Sequence, residues 1–244
     1  HPAMMVRACG HTIWVNSLGM ALAGIHRDTP EPSGGRIERD PYTGHPTGLI
    51  QDARDLIERV LPKPSLEDWK TAMLASQEVA LGFGMTGVHT FEGLVQWKAL
   101  KSLDEEGKLK IRVHHGLHHG SLDRIAANGL VPGQGKDRLW LGHIKLFADG
   151  SLGAGTALLH HPYADNPAQS GLEVMSVEEM GEKISMAKGL GFDVAIHAIG
   201  DKAVTHGLLA ISRGRKPFPD GRPHRDRIEH IQLLRLQDLS LFRD

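Results

Sequence analysis

The sequence predicts an α/β fold: a partial (β/α)8 barrel of the TIM type, carrying an N-terminal lid-like insertion. Three observations lead there. Five short apolar strands, near 86–91, 109–117, 141–148, 192–196 and 225–232, alternate with segments of helical periodicity, which is the rhythm of a parallel sheet. No Gly-x-Gly-x-x-Gly follows any of them, which argues against a doubly wound dinucleotide fold. A closed barrel needs eight strands, and five are visible.

Residues 1–64 read as the insertion and 65–244 as the barrel portion. Asn16 and Ser17 are cap-type residues ahead of LGMALAGI, a short helix that ends near Gly24. The stretch RDTPEPSGG is loop. RIERD and TGLIQ flank the turn-rich PYTGHP and predict a β-hairpin. A brief helix from Asp52 to Val60 stops at the prolines of LPKP.

Ser65 and Asp68 form a capping pair, after which Trp69, Met73, Val79, Ala80 and Phe83 recur at helical spacing up to Gly84. The strand TGVHTF leads to a helix from Leu94 to Glu106, and LKIRVHHGL to a short helix from Ser121 to Asn128. LGHIKLFA leads into a long loop over 149–174. Ser176 and Glu179 open a helix that Gly191 closes. FDVAIHAIGD is a buried strand that ends on His197 and turns through Gly200 into a helix from Asp201 to about Arg213. RDRIEHIQ is the fifth strand, and LQDLSLFRD begins another helix.

Composition narrows the function classes. Lys and Arg number 28 against 29 Asp and Glu, so nothing recommends nucleic acid or an anionic membrane as a partner. No apolar run approaches the roughly 18 residues of a membrane span. A single cysteine excludes an internal disulfide framework and fits a reducing, cytoplasmic setting. The outlying figure is 16 histidines, which suits metal or proton chemistry. The chain does not begin with methionine, which suggests processing or truncation.

Chemistry is expected at the C-terminal ends of the strands. His197 and His230 end consecutive strands. Side-chain alternation puts His143, Lys145, Phe147 and Asp149 on one face, and Asp193, Ala195 and His197 on one face. It likewise groups Asp226, Ile228 and His230, with Arg227 and Glu229 opposite. Lys145 on an apolar strand is costly to bury as an ammonium. It therefore either pairs with a carboxylate such as Asp149 or is altered, for example to the carbamate formed with carbon dioxide; the pattern weights the two equally. Taken alone, His197 would be a core histidine bonded to a backbone carbonyl. With Lys145 and His230 it makes two imidazoles and an anionic oxygen on successive strand ends, a set suited to zinc. Asp201 reads as a helix cap rather than a partner of His197, and His114, His115, His118 and His119 as packing and rim residues. Arg213, Arg215, Lys216, Arg222 and Arg225 read as solvated surface.

The segments HIKLFADGSLG, HAIGDKAV and HRDRIEHIQ resemble signature stretches of the amidohydrolase superfamily. The resemblance is to the YtcJ-like family 3 amidohydrolases that include N-substituted formamide deformylase. GHTIWVNS, DTPEPSGGRI, PTGLIQD and HPYADNP fit the same family, so the likeness spans nearly the whole chain. It implies a metal-dependent (β/α)8 barrel that hydrolyses C–N bonds of amide or formamide type through hydroxide activated by one or two divalent metal ions, with zinc expected. By position, Lys145 resembles the carbamylated lysine of strand 4, His197 the ligand of strand 5 and His230 the ligand of strand 6. His11 and Trp14 fall at substrate-pocket positions or else form a packing pair at a helix entry, and Asp149 either shapes the loop over the substrate site or belongs to a plain turn. The substrate would be a small amide-type molecule.

Two departures shape further expectations. The His-x-His pair of strand 1 would precede His1, and the general-base aspartate of strand 8 would follow Asp244. The chain thus resembles the middle of a longer protein, about strands 2 to 6, expected to bind metal weakly and to be inactive alone. Its open sheet is expected to drive homo-oligomer formation, disorder of the ends or poor folding. Two alternatives remain: a non-catalytic α/β fragment whose histidines only pack, and a metal-free barrel lyase or isomerase using Lys145 as a Schiff-base amine.

Overall fold

In the computed structural model, which describes residues 1–218 and 224–243, the chain forms two sheets. The first comprises β1 (Met4–Val6), β2 (Thr12–Val15), β3 (Arg36–Arg39) and β4 (Pro46–Gln51). They pair antiparallel in the order β1-β2-β4-β3. Alternation along β2 turns Ile13 and Val15 into a small core with Ile37 and Ile50, and leaves Trp14 outside. Helix α1 (Ser17–Leu22) begins where the Asn16 side chain accepts from Gly19 N–H, and α2 (Asp55–Glu58) adds Ile57 to the same core. The β3–β4 hairpin stands where RIERD and TGLIQ predicted it. Strands β1 and β2 are an addition to the sequence reading.

Helix α3 (Leu66–Gly82) starts at a capping box: Ser65 accepts from Asp68 N–H and the Asp68 carboxylate accepts from Ser65 N–H. Strands β5 (Gly87–Glu92), β6 (Arg112–His118), β8 (Leu139–Phe147), β9 (Val194–Ala198) and β10 (Arg227–His230) build the second sheet. All five run parallel in the order β10-β9-β8-β6-β5, with the two-residue β7 (Gly135–Lys136) antiparallel on β8. Helices α4 (Leu94–Glu105), α5 (Leu122–Ala127), α6 (Val177–Gly189) and α7 (Asp201–Arg215) follow β5, β6, β8 and β9 in turn.

The core lies between this sheet and the helices. Ile144 and Leu146 of β8, and Val194 and Ile196 of β9, pack with Leu100 of α4, Met180 and Ile184 of α6, and Val204 of α7. The alternate residues, Lys145, Phe147, Ala195 and His197, are thereby turned to the concave face, and the register sets Phe147 beside His197. No described helix is long and apolar enough to cross a membrane.

Several expectations need correction. Met73, Ala80 and Leu81 of α3 reach the core, but Val79 is 60% exposed and Phe83 83%. The fully buried residue of α3 is polar: Gln77 accepts from Lys110 N–H and donates to Lys108 O, pinning the turn before β6. Arg215 is no solvated surface charge, since its Nε lies 2.7 Å from the buried Asp226 carboxylate; Arg222 lies outside the described residues. The cap of α7 is Gly200, with no side-chain cap hydrogen bond, and not Asp201, which is the first residue of the helix and accepts from the His160 and Lys202 N–H groups.

Candidate metal centre

Lys145 lies near the C-terminal end of β8 on the concave face, 4% exposed. Its Nζ sits 5.0 Å from the ring centroid of Phe91 and 4.9 Å from that of Phe147. Among the described residues no carboxylate lies within ion-pair distance of it. Burial drives its ammonium down to about 8, with Glu229 opposing and Arg227 assisting. The pairing of Lys145 with Asp149 that the sequence allowed is therefore absent.

Asp149 is fully buried and turned to the backbone instead. Its Oδ1 accepts from Ile199 N–H at 3.0 Å, and its Oδ2 from Gly200 N–H at 2.8 Å and Leu158 N–H at 2.9 Å. Burial pushes its carboxyl up to about 6 even against these three donors. It staples the long loop after β8 to the turn after β9.

His197, near the end of β9, is 2% exposed. Its Nε2 donates to the Gly150 carbonyl at 2.7 Å, which leaves Nδ1 as the nitrogen with a lone pair. Burial drives this imidazole down to about 3, so it is neutral across the physiological range. The His230 ring stands edge-on to it with centroids 4.7 Å apart, and burial lowers that imidazole as well.

The route by which His230 arrives differs from the sequence reading. Register pairs Glu229 with His197 and His230 with Ala198, so strict alternation would turn His230 away from the concave face. Instead His230 has φ of +80° and Ile231 of +47°, both left-handed. These two residues break the strand and swing the imidazole back over its end.

His11 arrives from the first sheet. Its ring centroid is 4.8 Å from that of His197, and its Nδ1 lies 2.6 Å from Asp52 Oδ1. Trp14 does not join the group: it is 56% exposed, lies against Gly48 of β4, and makes no ring contact with the centre. Asp52, Phe91, Phe147 and the Gly150 carbonyl were not singled out from the sequence for these roles. The antiparallel pairing of β2 with β4, which sets Thr12 opposite Gln51 and hence His11 beside Asp52, left no signal in the sequence.

Two histidines of β6 pack against neighbours. His115 is buried between Thr90 Oγ1 (2.8 Å) and the Gly93 carbonyl (3.3 Å), while His114 meets His89, with Nδ1 atoms 3.2 Å apart. A second acidic group, Asp193, His224 and Asp226, sits at the opposite ends of β9 and β10 with ligand-type atoms within 4.8 Å of one another. The Lys188 ammonium already bridges both aspartates at 2.6 Å, and Arg215 holds the other oxygen of Asp226. That group is a charge-balanced ionic network.

The donor set at the concave rim fits a divalent metal ion. Two imidazoles whose protonation burial disfavours, one with its tautomer fixed by a backbone carbonyl, are donors of the kind such a cation takes. The unpaired Lys145 amine beside them is of the kind that forms an anionic carbamate. Among the described residues the carboxylate that acts on it, Glu229, does so from beyond ion-pair distance.

Comparisons with known proteins agree in kind. A sequence profile described as the amidohydrolase family matches residues 1–244. The Bacillus subtilis (strain 168) protein YtcJ is 39% identical over 241 residues, covering 96% of this chain and 44% of YtcJ. N-substituted formamide deformylase of Arthrobacter pascens is 28% identical over 218 residues, covering 84% of this chain and 39% of that enzyme. The crystal structure of an uncharacterized metal-dependent hydrolase from Pyrococcus furiosus superposes with a TM-score of 0.73 at 34% identity, over 99% of this chain and 48% of that one. The chain thus spans less than half the length of these relatives.

Proposed function

Since the chain belongs to the amidohydrolase family, we propose that it supplies the strand-4, strand-5 and strand-6 side of a (β/α)8 hydrolase centre acting on C–N bonds of amide or formamide type. Lys145, as its carbamate, His197 through Nδ1, and His230 would hold the metal, with zinc the expected ion. Residues 1–64 would serve as a lid over residues 65–244. The substrate would be a small molecule, the setting cytoplasmic, and the open sheet would favour self-association.

One observation carries this reading. Lys145 is buried between two aromatic rings with no carboxylate within ion-pair distance among the described residues, next to two imidazoles whose protonation burial disfavours. A lysine kept only for structure would be paired, as Lys188 is with Asp193 and Asp226.

The chain's own contributions follow from the geometry. His197 is held rigid by the Gly150 carbonyl, so its Nδ1 direction is fixed before anything binds. Phe91 and Phe147 exclude water from Lys145 and keep part of its amine uncharged, the form that reacts with carbon dioxide. Asp149 fixes the loop that carries Gly150. When bound, the metal supplies Lewis acidity that activates water and polarises a carbonyl. Three donors fall short of the four usual for zinc, so the 244-residue chain alone is expected to bind it weakly and to turn over little.

The test is zinc reconstitution in bicarbonate buffer, using protein of the relatives' full length and assaying an N-alkyl formamide. Stoichiometric zinc with hydrolysis is expected, and Lys145→Ala or His197→Ala should each lower metal affinity at least about 10-fold. Full occupancy and rate in both variants would overturn the assignment. The lowered Lys145 amine also suits a metal-free Schiff-base lyase or isomerase. Borohydride trapping of a carbonyl compound on Lys145 would favour that second reading.

A further inference from the structure

The first sheet reaches the centre through His11 and Asp52, which hold each other twice. Asp52 N–H donates to the His11 carbonyl at 2.8 Å, and His11 Nδ1 lies 2.6 Å from Asp52 Oδ1. Asp52 adopts φ of +50°, a left-handed conformation that a non-glycine residue takes at a cost. Its side chain is 7% exposed, and its Oδ2 is buried with no hydrogen-bond partner among the described residues. The carboxylate also lies against the loop that orients His197: a Cβ at Gly150 would collide with Asp52 Oδ2 and Thr156 Oγ1, and the Gly150 carbonyl is the one that accepts from His197. Asp52, Gly150, His197 and His11 therefore interlock.

A carboxylate accepts, so across the 2.6 Å contact His11 Nδ1 is the donor, and the neutral ring held this way carries its lone pair on Nε2. Nε2 has no protein partner among the described residues. We propose that Asp52 is a positioning residue: it fixes His11 in the Nδ1–H tautomer, so that Nε2 accepts the N–H of an amide-type substrate at the metal rim. The substrate half of this proposal rests on the hydrolase reading; the tautomer half does not.

Long-range 1H–15N spectra of the histidine-labelled chain, recorded across a pH series, report which nitrogen of the neutral His11 ring carries the proton. His11→Gln assigns the signal. Nδ1–H is expected in the wild type, with a majority Nε2–H in Asp52→Gly, a variant that tolerates the left-handed backbone. Nε2–H in the wild type, or no change in Asp52→Gly, would overturn the positioning role.

In metal-loaded protein of the relatives' full length, Asp52→Asn and His11→Gln should each lower kcat/KM for an N-alkyl formamide about 10- to 100-fold. The double variant should be no worse than His11→Gln. An N,N-dialkyl formamide, which has no N–H to donate, should be nearly indifferent to both changes. Multiplying losses in the double variant, or equal losses on both substrates, would overturn the substrate contact. A zinc-loaded wild type that hydrolyses nothing would remove the hydrolase reading and with it the substrate contact, while the spectra would still decide the role of Asp52.

Discussion

A buried imidazole ties stability to pH, and His115 is the cleanest case because it lies away from the metal rim. Burial drives it down to about 4, while the Gly93 carbonyl pulls weakly the other way. In the unfolded chain it would titrate near 6.5. Between these values the unfolded state binds a proton that the folded state refuses, so stability is fully present above about pH 6.5 and is lost as pH falls towards 4. The loss from this one group is on the order of 3 kcal/mol. His115→Asn, which keeps a polar group facing Thr90, should flatten the fall in Tm between pH 6.5 and 4, at some cost at neutral pH. An unchanged acid limb would refute the assignment. At this scale the sequence was informative where chemistry follows from position: Lys145 and His197 were marked because a polar group stood on an apolar strand near its end. It was silent where chemistry depends on partners distant in sequence. Asp52 is 41 residues from His11, and nothing local announces their bond. The swing of His230 back to the rim also needs two left-handed residues, His230 and Ile231, neither a glycine, so no residue type flagged it.

Among elements, the turn from β9 into α7 shows why HAIGD carries its glycine. Gly200 has an ordinary φ of −73°, so conformational freedom is not the reason. The reason is proximity. The Leu158 carbonyl accepts from Lys202 and Ala203 N–H at 3.2 and 3.3 Å, satisfying two free donors of the helix N-terminus, and a Cβ at Gly200 would collide with that carbonyl. Gly200→Ala should therefore cost about 2–4 kcal/mol, from overpacking and a disturbed cap, and lower Tm by several degrees. Gly82→Ala, in open space at the end of α3, should be neutral or slightly stabilising. Equal Tm values for the two variants would refute the close-approach argument. Elements were legible wherever a cap, a stop and a periodicity agreed, as for Ser65 with α3 or Ser176 with α6. Strands β1 and β2, of three and four residues, offered too few positions for alternation to register. Along α3, helical spacing alone could not tell the stripe that packs, Met73 to Ala80, from the one that does not, Val79 and Phe83.

For the whole molecule, the governing fact is that the parallel sheet has ends. Among the described residues β5 and β10 each have one strand neighbour, so each offers unpaired backbone N–H and C=O groups along its free edge. Exposed apolar side chains occur in the segments adjoining both strands: Val79, Phe83 (83% exposed) and Met85 precede β5 in the chain, and Leu236 (82% exposed), Leu239 and Phe242 follow β10. Exposed apolar side chains in segments next to an open strand edge favour association. The 244-residue chain is therefore expected to self-associate at micromolar concentration and above, read as a rise of weight-average mass with concentration in sedimentation equilibrium. Val79→Lys combined with Phe83→Lys should shift the equilibrium towards monomer. Because neither side chain is buried, Tm should change by no more than about 2 °C. A monodisperse wild-type monomer across that range would defeat the argument. Association unchanged by the double substitution would instead move the contact surface to the β10 flank, where Leu236→Lys with Phe242→Lys is the corresponding change.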